Sequence, residues 1–160
     1  MSASLPKIRR AVMEDLPQIL EMGRALHEEN GIMPLSEDCI HRAAINGIQS
    51  SDAIMGVIGE VGAVEAMVYL VIGKFWYSED LHVEELFTYV KPEFRASQNA
   101  KAMLQFAKGT AKRLDVPLLI GIVSNTKTKQ KVKLYERMLG EPAGAYFLWN
   151  GHTGNKLKKE

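Results

Sequence analysis

The 160-residue sequence has a single cysteine, Cys39, which rules out an intrachain disulfide and an all-cysteine metal site. No stretch approaches the roughly 20 apolar residues of a membrane-spanning helix, and residues 1–10 hold no apolar run of signal-peptide length. Charge of one sign is lacking too: 20 basic and 19 acidic side chains leave a formal net charge of +1. Without a strong global field, neither nucleic acid nor an anionic membrane is expected as the main partner. The four histidines, His27, His41, His82 and His152, have no metal-ligand spacing, so no metal site is expected and none is given a role. A soluble protein of a reducing, cytoplasmic compartment is the expectation.

What remains is ordinary globular composition, 46% apolar and 24% charged. The chain is long enough to bury a core without crosslinks. Residues 1–150 read as one domain and residues 151–160 as a polar, lysine-rich C-terminal tail. There is no repeat, low-complexity block or linker.

Residues 7–12 read as a short strand, with Ile8 and Val12 inward. Asp15 is placed to cap a helix with Pro17 in its first turn, where a missing N–H is harmless. Leu16, Ile19, Leu20, Gly23 and Leu26 recur at helical spacing until Asn30 and Gly31 stop the run. A second helix opens at Ser36 and carries Ile40, Ala43, Ala44 and Ile48 on one face. Residues 53–61 and 63–72 form a hairpin pattern about Gly62. Residues 81–90 are a further strand, 97–114 a long helix with Ala100, Met103, Leu104 and Ala107 inward, and 118–123 a strand buried on both faces. Residues 130–139 make a last helix and 145–149 a last strand. The fold class is α/β (α+β), with helices on both faces of a mixed sheet. The helix between residues 81–90 and 118–123 makes those strands a parallel crossover pair, while the hairpin before them is antiparallel.

Chemistry concentrates where residues 81–90 run into the long helix. A helix start has unpaired amide hydrogens and partial positive charge, so the turn after Val90 can seat a pyrophosphate, with Arg95 and Lys101 at its two sides. An ordinary strand-to-helix turn capped by Ser97 is the equally open alternative. Further along, Lys127, Lys129, Lys131 and Lys133 form either a phosphate patch or a solvated helix face. Trp76 and Tyr77 follow Phe75 near a turn, where core packing is favoured over a substrate mouth or dimer contact.

Val90, Pro92, Phe94 and Arg95 resemble the V-x-P-x-[FY]-R entry to the acetyl-CoA loop of the GNAT N-acetyltransferases. The family's loop, [QR]-x-x-G-x-[GA], is met by Arg95 and Ala100 at its ends, with Gln98 where glycine is usual. Residues 133–140, with Leu134, Tyr135, Glu136, Arg137 and Gly140, resemble the family's L-Y-[EK]-[KR]-x-G-F helix. The order of elements matches from Ile8 to Trp149.

The resemblance implies a mostly antiparallel sheet with a splayed parallel strand pair. It implies an enzyme that moves the acetyl group of acetyl-CoA directly to an amine. Thr88 and Val90 would pair with the pantetheine arm, and Arg95, Ala96, Ser97, Gln98, Asn99, Ala100 and Lys101 would hold the diphosphate. Asn125 would contact CoA from a position three residues before Thr128, which stands where the family has asparagine. Tyr135 would protonate the departing thiolate.

A carboxylate from the strand before the loop is the family's common route to deprotonating the amine. By alternation Glu84 and Glu85 face opposite ways, and Glu85, on the face of Phe87 and Tyr89, is the candidate base. Both glutamates on an exposed edge is the alternative. Residues 30–36 would help shape the acceptor pocket, and a homodimer follows family habit. The rival reading is a catalytically weak or inactive GNAT-like domain that binds acyl-CoA or a protein partner. A third is an unrelated α/β protein binding a nucleotide at the same helix start.

Overall fold

A computed structural model describes residues 4–124 and 127–151. The elements run β1 (Ile8–Arg10), α1 (Leu16–Asn30), α2 (Glu37–Gln49), β2 (Ala53–Ile58), β3 (Ala66–Lys74), β4 (Leu81–Val90), α3 (Asn99–Leu114), β5 (Leu118–Ile120) and α4 (Thr128–Leu139). Single 3-10 turns at Met13–Asp15 and Pro92–Phe94 precede α1 and α3. The chain forms two compact units, one of Met1–Met22 with Glu37–Gly121, the other of Gly23–Ser36 with Ile122–Glu160.

The first unit holds the whole sheet, in the order β1-β2-β3-β4-β5. Neighbours are antiparallel except β4 and β5, which are parallel. α2 and α3 take opposite faces. A methyl group on Gly47 of α2 would lie 2.8 Å from Met55 Cβ and 3.0 Å from a ring carbon of Tyr69, whereas one on Gly56 would meet Phe106 of α3 and Val68. Glycine at 47 is what lets α2 come this close to the sheet. Beneath α3, Val68, Leu70 and Val83 pack with Met103 and Ala107, all at most 1% exposed. Each of the valine, leucine and methionine side chains contributes on the order of 2 kcal/mol by leaving water, and the alanine methyl less.

The hairpin has a longer connection than its apolar pattern suggests. β2 ends at Ile58 and β3 begins at Ala66. Between them the Ala63 amide bonds Glu60 O at 2.9 Å, around Gly62 at φ +83°. Gln18 of α1 grips this turn through the Gly62 carbonyl and the Val64 amide. Asp15 does not cap α1 as expected. Its carboxylate, fully buried, accepts the Val12 amide and both guanidinium nitrogens of Arg9, at 2.7 and 2.9 Å. That pair stabilises the ionised form and lowers the Asp15 pKa.

Two strands differ from expectation. β5 is only three residues long and half-buried, not a longer strand buried on both faces. Residues 145–149 form no strand. Tyr146, Phe147 and Trp149 are accordingly 79%, 93% and 89% exposed.

Candidate functional site

Site geometry in the first unit begins with an irregularity in β4. Tyr69 of β3 lies opposite Phe87, but Leu70 lies opposite Glu85, so Leu86 is an extra, unpaired residue. This is a β-bulge, and it resets which side chains share a face. Cross-strand partners lie on one face, so Val83, Glu85, Thr88 and Val90 look towards α3 with Ile72, Leu70, Val68 and Ala66. His82, Glu84, Phe87 and Tyr89 take the α2 face; Phe87 packs there with Tyr69, whose hydroxyl is bonded by Asn46 of α2. Simple alternation had put Glu85 with Phe87 and Tyr89. The bulge overturns that, while the opposition of Glu84 and Glu85 stands.

At the same point β4 loses its second neighbour. β5 pairs Leu118, Leu119 and Ile120 with Val83, Glu84 and Glu85, and goes no further. Residues 87–90 therefore pair with β3 alone, leaving main-chain groups on the other edge with no strand among the described residues. That edge can accept the amides of an extended ligand.

Glu85 sits where the two strands part. It is 7% exposed, and burial pushes its pKa up to about 7, the Thr88 hydrogen bond acting the other way. A carboxylate with this pKa exchanges protons near neutrality, which suits a general base. Glu84 is half-exposed, with a carboxylate oxygen 3.7 Å from His82 Nε2. The expectation that both lie on an exposed edge fails for Glu85.

β4 then leaves the core for the surface. Pro92, Glu93, Arg95, Ala96, Ser97, Gln98 and Lys101 are exposed. α3 begins at Asn99, two residues later than its pattern suggests, because Ser97 Oγ receives the Asn99 amide at 3.2 Å and spends the preceding residues in the turn. The first intrahelical bond here is from the Ala102 amide to Gln98 O at 2.9 Å, so the Ala100 and Lys101 amides have no acceptor within the helix.

Arg95 folds back, Nε donating to Val90 O at 2.8 Å and its guanidinium 5.4 Å from the Tyr89 ring centre. Gln98 has φ −82° and ψ 7°, a conformation open to any residue, so the absent glycine leaves no backbone strain. No acidic residue occupies the first turn of α3, whereas α2 begins with Glu37 and Asp38. α2 neutralises its own positive end, whereas α3 has no carboxylate of its own there to do so.

Of the sequence-predicted residues, Glu85, Thr88, Val90, Arg95, Ala96, Ser97, Gln98, Asn99, Ala100 and Lys101 lie together on this β4–α3 run. Tyr135 lies half-buried on α4 in the second unit, and Asn125 lies outside the described residues, as does His152. In that unit Lys127, Lys129 and Lys133 are exposed, while Lys131 Nζ donates to Ser124 Oγ at 2.6 Å. Trp76 and Tyr77 do not pack in the core; they are 95% and 68% exposed, with Phe75 stacked between Tyr77 and the buried His82. Sequence reasoning missed the bulge at Leu86, whose residue type carries no sign of it. It also missed Glu65, whose carboxylate accepts Asn99 Nδ2 at 3.2 Å. Among the described residues no helix is long and apolar enough to cross a membrane, and no group of His, Cys, Asp and Glu is placed to hold a metal ion.

No family model and no curated protein matches the sequence. Solved structures do match the fold. A predicted acetyltransferase with acetyl-CoA from Clostridium acetobutylicum aligns at TM-score 0.70 and 17% identity, over 91% of this chain and 96% of its own. A possible acetyltransferase from Clostridium difficile 630 aligns at 0.70 and 16%, over 92% and 98%. AAC(6')-Iy, in complex with the bisubstrate analogue CoA-S-monomethyl-acetylneamine, aligns at 0.71 and 12%, over 92% and 98%. With a mixed sheet whose one parallel pair parts at a bulge beside a buried glutamate, the chain has the fold of the GNAT acetyltransferases.

Proposed function

We propose that the protein is an acetyl-CoA-dependent N-acetyltransferase that transfers the acetyl group directly to an amine. One observation carries this reading: β4 parts from β5 just past Glu85 and feeds an exposed turn into a helix whose own first turn has no acidic residue. The open edge of residues 87–90, with Thr88 and Val90 among them, pairs with the amides of the pantetheine arm. The Ala100 and Lys101 amides, with Lys101 and Arg95 as cations and Ala96, Ser97, Gln98 and Asn99 completing the turn, hold the diphosphate. Gln98 in an unstrained conformation is compatible with that role, so the residues present fit the cosubstrate.

Acetyl-CoA supplies an activated acyl group as a thioester. Glu85 takes the proton of the incoming ammonium, directly or through a water. The C–N bond then forms as the C–S bond breaks, and Tyr135, by its motif match, gives its phenolic proton to the leaving sulfur; the second proton shed by the nitrogen as it becomes an amide restores the phenol through solvent. Asn125 is the remaining CoA contact that the resemblance suggests. The acceptor is an amine whose identity the fold does not select.

Calorimetric titration with acetyl-CoA, followed by thiol release over an amine panel, tests the reading. Saturable binding with turnover supports it; absence of binding overturns it. Tyr135→Phe is expected to lower kcat by about 10- to 100-fold with little change in the KM for acetyl-CoA, and unchanged kcat removes Tyr135 from the mechanism. The second reading, a domain that binds acyl-CoA without transfer, is favoured by the depth of Glu85, only 7% exposed and so poorly reached by an amine. It predicts binding without thiol release.

A further inference from the structure

The turn between β4 and α3 has to hold its shape before an anion arrives, because a loop that orders only on binding subtracts that entropy from affinity. Its own bonds, from Arg95 Nε to Val90 O and from the Ser97 amide to Phe94 O, shape the turn without tying its ends to the rest of the sheet. Residues 95–98 are exposed, and the Gln98 side chain makes no capping bond to α3. What fixes the two ends of the turn lies elsewhere in the chain.

Glu65, the last residue before β3, reaches both ends. Its main-chain carbonyl accepts the Lys91 amide at 3.0 Å, where β4 finishes. Its side-chain Oε2 accepts Nδ2 of Asn99 at 3.2 Å, where α3 starts. Asn99 is 2% exposed, so its amide group is cut off from water and depends on protein partners. The Asn99 main-chain amide is taken by Ser97 Oγ, which anchors the preceding turn to the same residue. Glu65 is in turn held by the β2–β3 hairpin, its own amide donating to Ile58 O at 2.8 Å.

A carboxylate near a helix start ordinarily opposes a second anion. Glu65 spends a carboxylate oxygen on the Asn99 side chain rather than on the first-turn amides. It thus positions the helix start while leaving those amides to another ligand.

We infer that Glu65 is a positioning residue for the anion-binding turn, latching the end of β4 to the start of α3 through Asn99. This rests on the acetyl-CoA reading for its functional consequence, but the latch itself is a property of the free protein. Two substitutions separate reach from charge. Glu65→Gln keeps the length and an acceptor oxygen for Asn99 while losing the charge. Glu65→Asp keeps the charge and retracts the oxygen by one methylene.

The test is amide hydrogen exchange across residues 97–101 in the free protein, with β3 amides as the control for global folding. It is paired with the Kd and KM for acetyl-CoA and with kcat. Glu65→Asp is expected to speed exchange in the turn and to raise Kd and KM about fivefold at nearly constant kcat, the loss associated with one hydrogen bond. Glu65→Gln is expected to stay within about twofold of the parent in both readouts. Equal impairment of the two variants, tighter binding by either, or unchanged exchange in Glu65→Asp overturns the latch. Should the parent protein fail to bind acetyl-CoA while exchange still responds as described, the latch stands and the acetyltransferase reading falls.

Discussion

Asp15 and Glu85 are both buried carboxylates, yet their surroundings push them in opposite directions. Asp15 faces a bidentate guanidinium and a main-chain amide, and its pKa is lowered. Glu85 has the Thr88 hydroxyl as the one partner that acts on its pKa, which burial raises to about 7. The first arrangement ties β1 to the start of α1 and leaves nothing to titrate near neutrality. The second keeps a proton acceptor poised where the parallel strands separate. Partnering, more than depth, decides which way a buried carboxylate's pKa moves.

The largest effect is expected from Glu85→Gln, which removes the poised group while keeping its shape. Turnover should fall by about 10²- to 10⁴-fold. The rise of kcat/KM through a pH of about 7 should vanish with it. A pH–rate profile retaining that limb would assign the titration to another group. Stability carries its own signature. Between about 4.5 and 7 the folded chain keeps a proton on Glu85 that the unfolded chain releases, so stability falls as pH rises, by up to roughly 3 kcal/mol. Denaturant titrations across that range should show the decline in the parent protein and its absence in Glu85→Gln.

Arg9→Ala breaks the comparison from the other side. It leaves Asp15 buried without its cation and should cost about 3 kcal/mol of stability. In the parent, Asp15 binds fewer protons folded than unfolded. Its contribution is therefore present above the ordinary carboxylate pKa of about 4 and fades as pH falls through its lower folded value. The Arg9 variant should lose that acid-side dependence, and carboxyl NMR should report an Asp15 that titrates upwards, as Glu85 does.

A smaller effect follows from giving α3 the acidic start that α2 has. Lys101→Glu should weaken acetyl-CoA binding on the order of tenfold, with the melting temperature unchanged or slightly raised, since a carboxylate in a first turn suits the helix dipole. Unchanged affinity would place the diphosphate elsewhere.

Much of this was legible in the sequence because it is written in local patterns. The helical spacing of Met103, Leu104 and Ala107 and the Pro92-to-Arg95 turn gave α3 and its approach. Glu85 was identifiable as the candidate base, but not the face it occupies. That depends on one extra residue in one strand, a pairing property that Leu86 does not advertise. The partnership of Glu65 with Asn99 joins residues 34 apart in sequence and has no local signature. The exposure of Trp76 and of residues 146–149 was misjudged because apolar content was read as burial, and apolar residues also contribute much of a folded surface.

The offset at Leu86 belongs to the count of residues in β4, not to what that residue is; its side chain is half in solvent. Substitution there should be cheap. Deletion would leave Glu85 opposite Leu70 and Phe87 opposite Tyr69, a regular ladder in which Glu85 keeps the side it shares with Thr88. In a library of variants, position 86 should tolerate most amino acids, and a one-residue deletion should be borne better there than at its neighbours in β4, where it would turn side chains over.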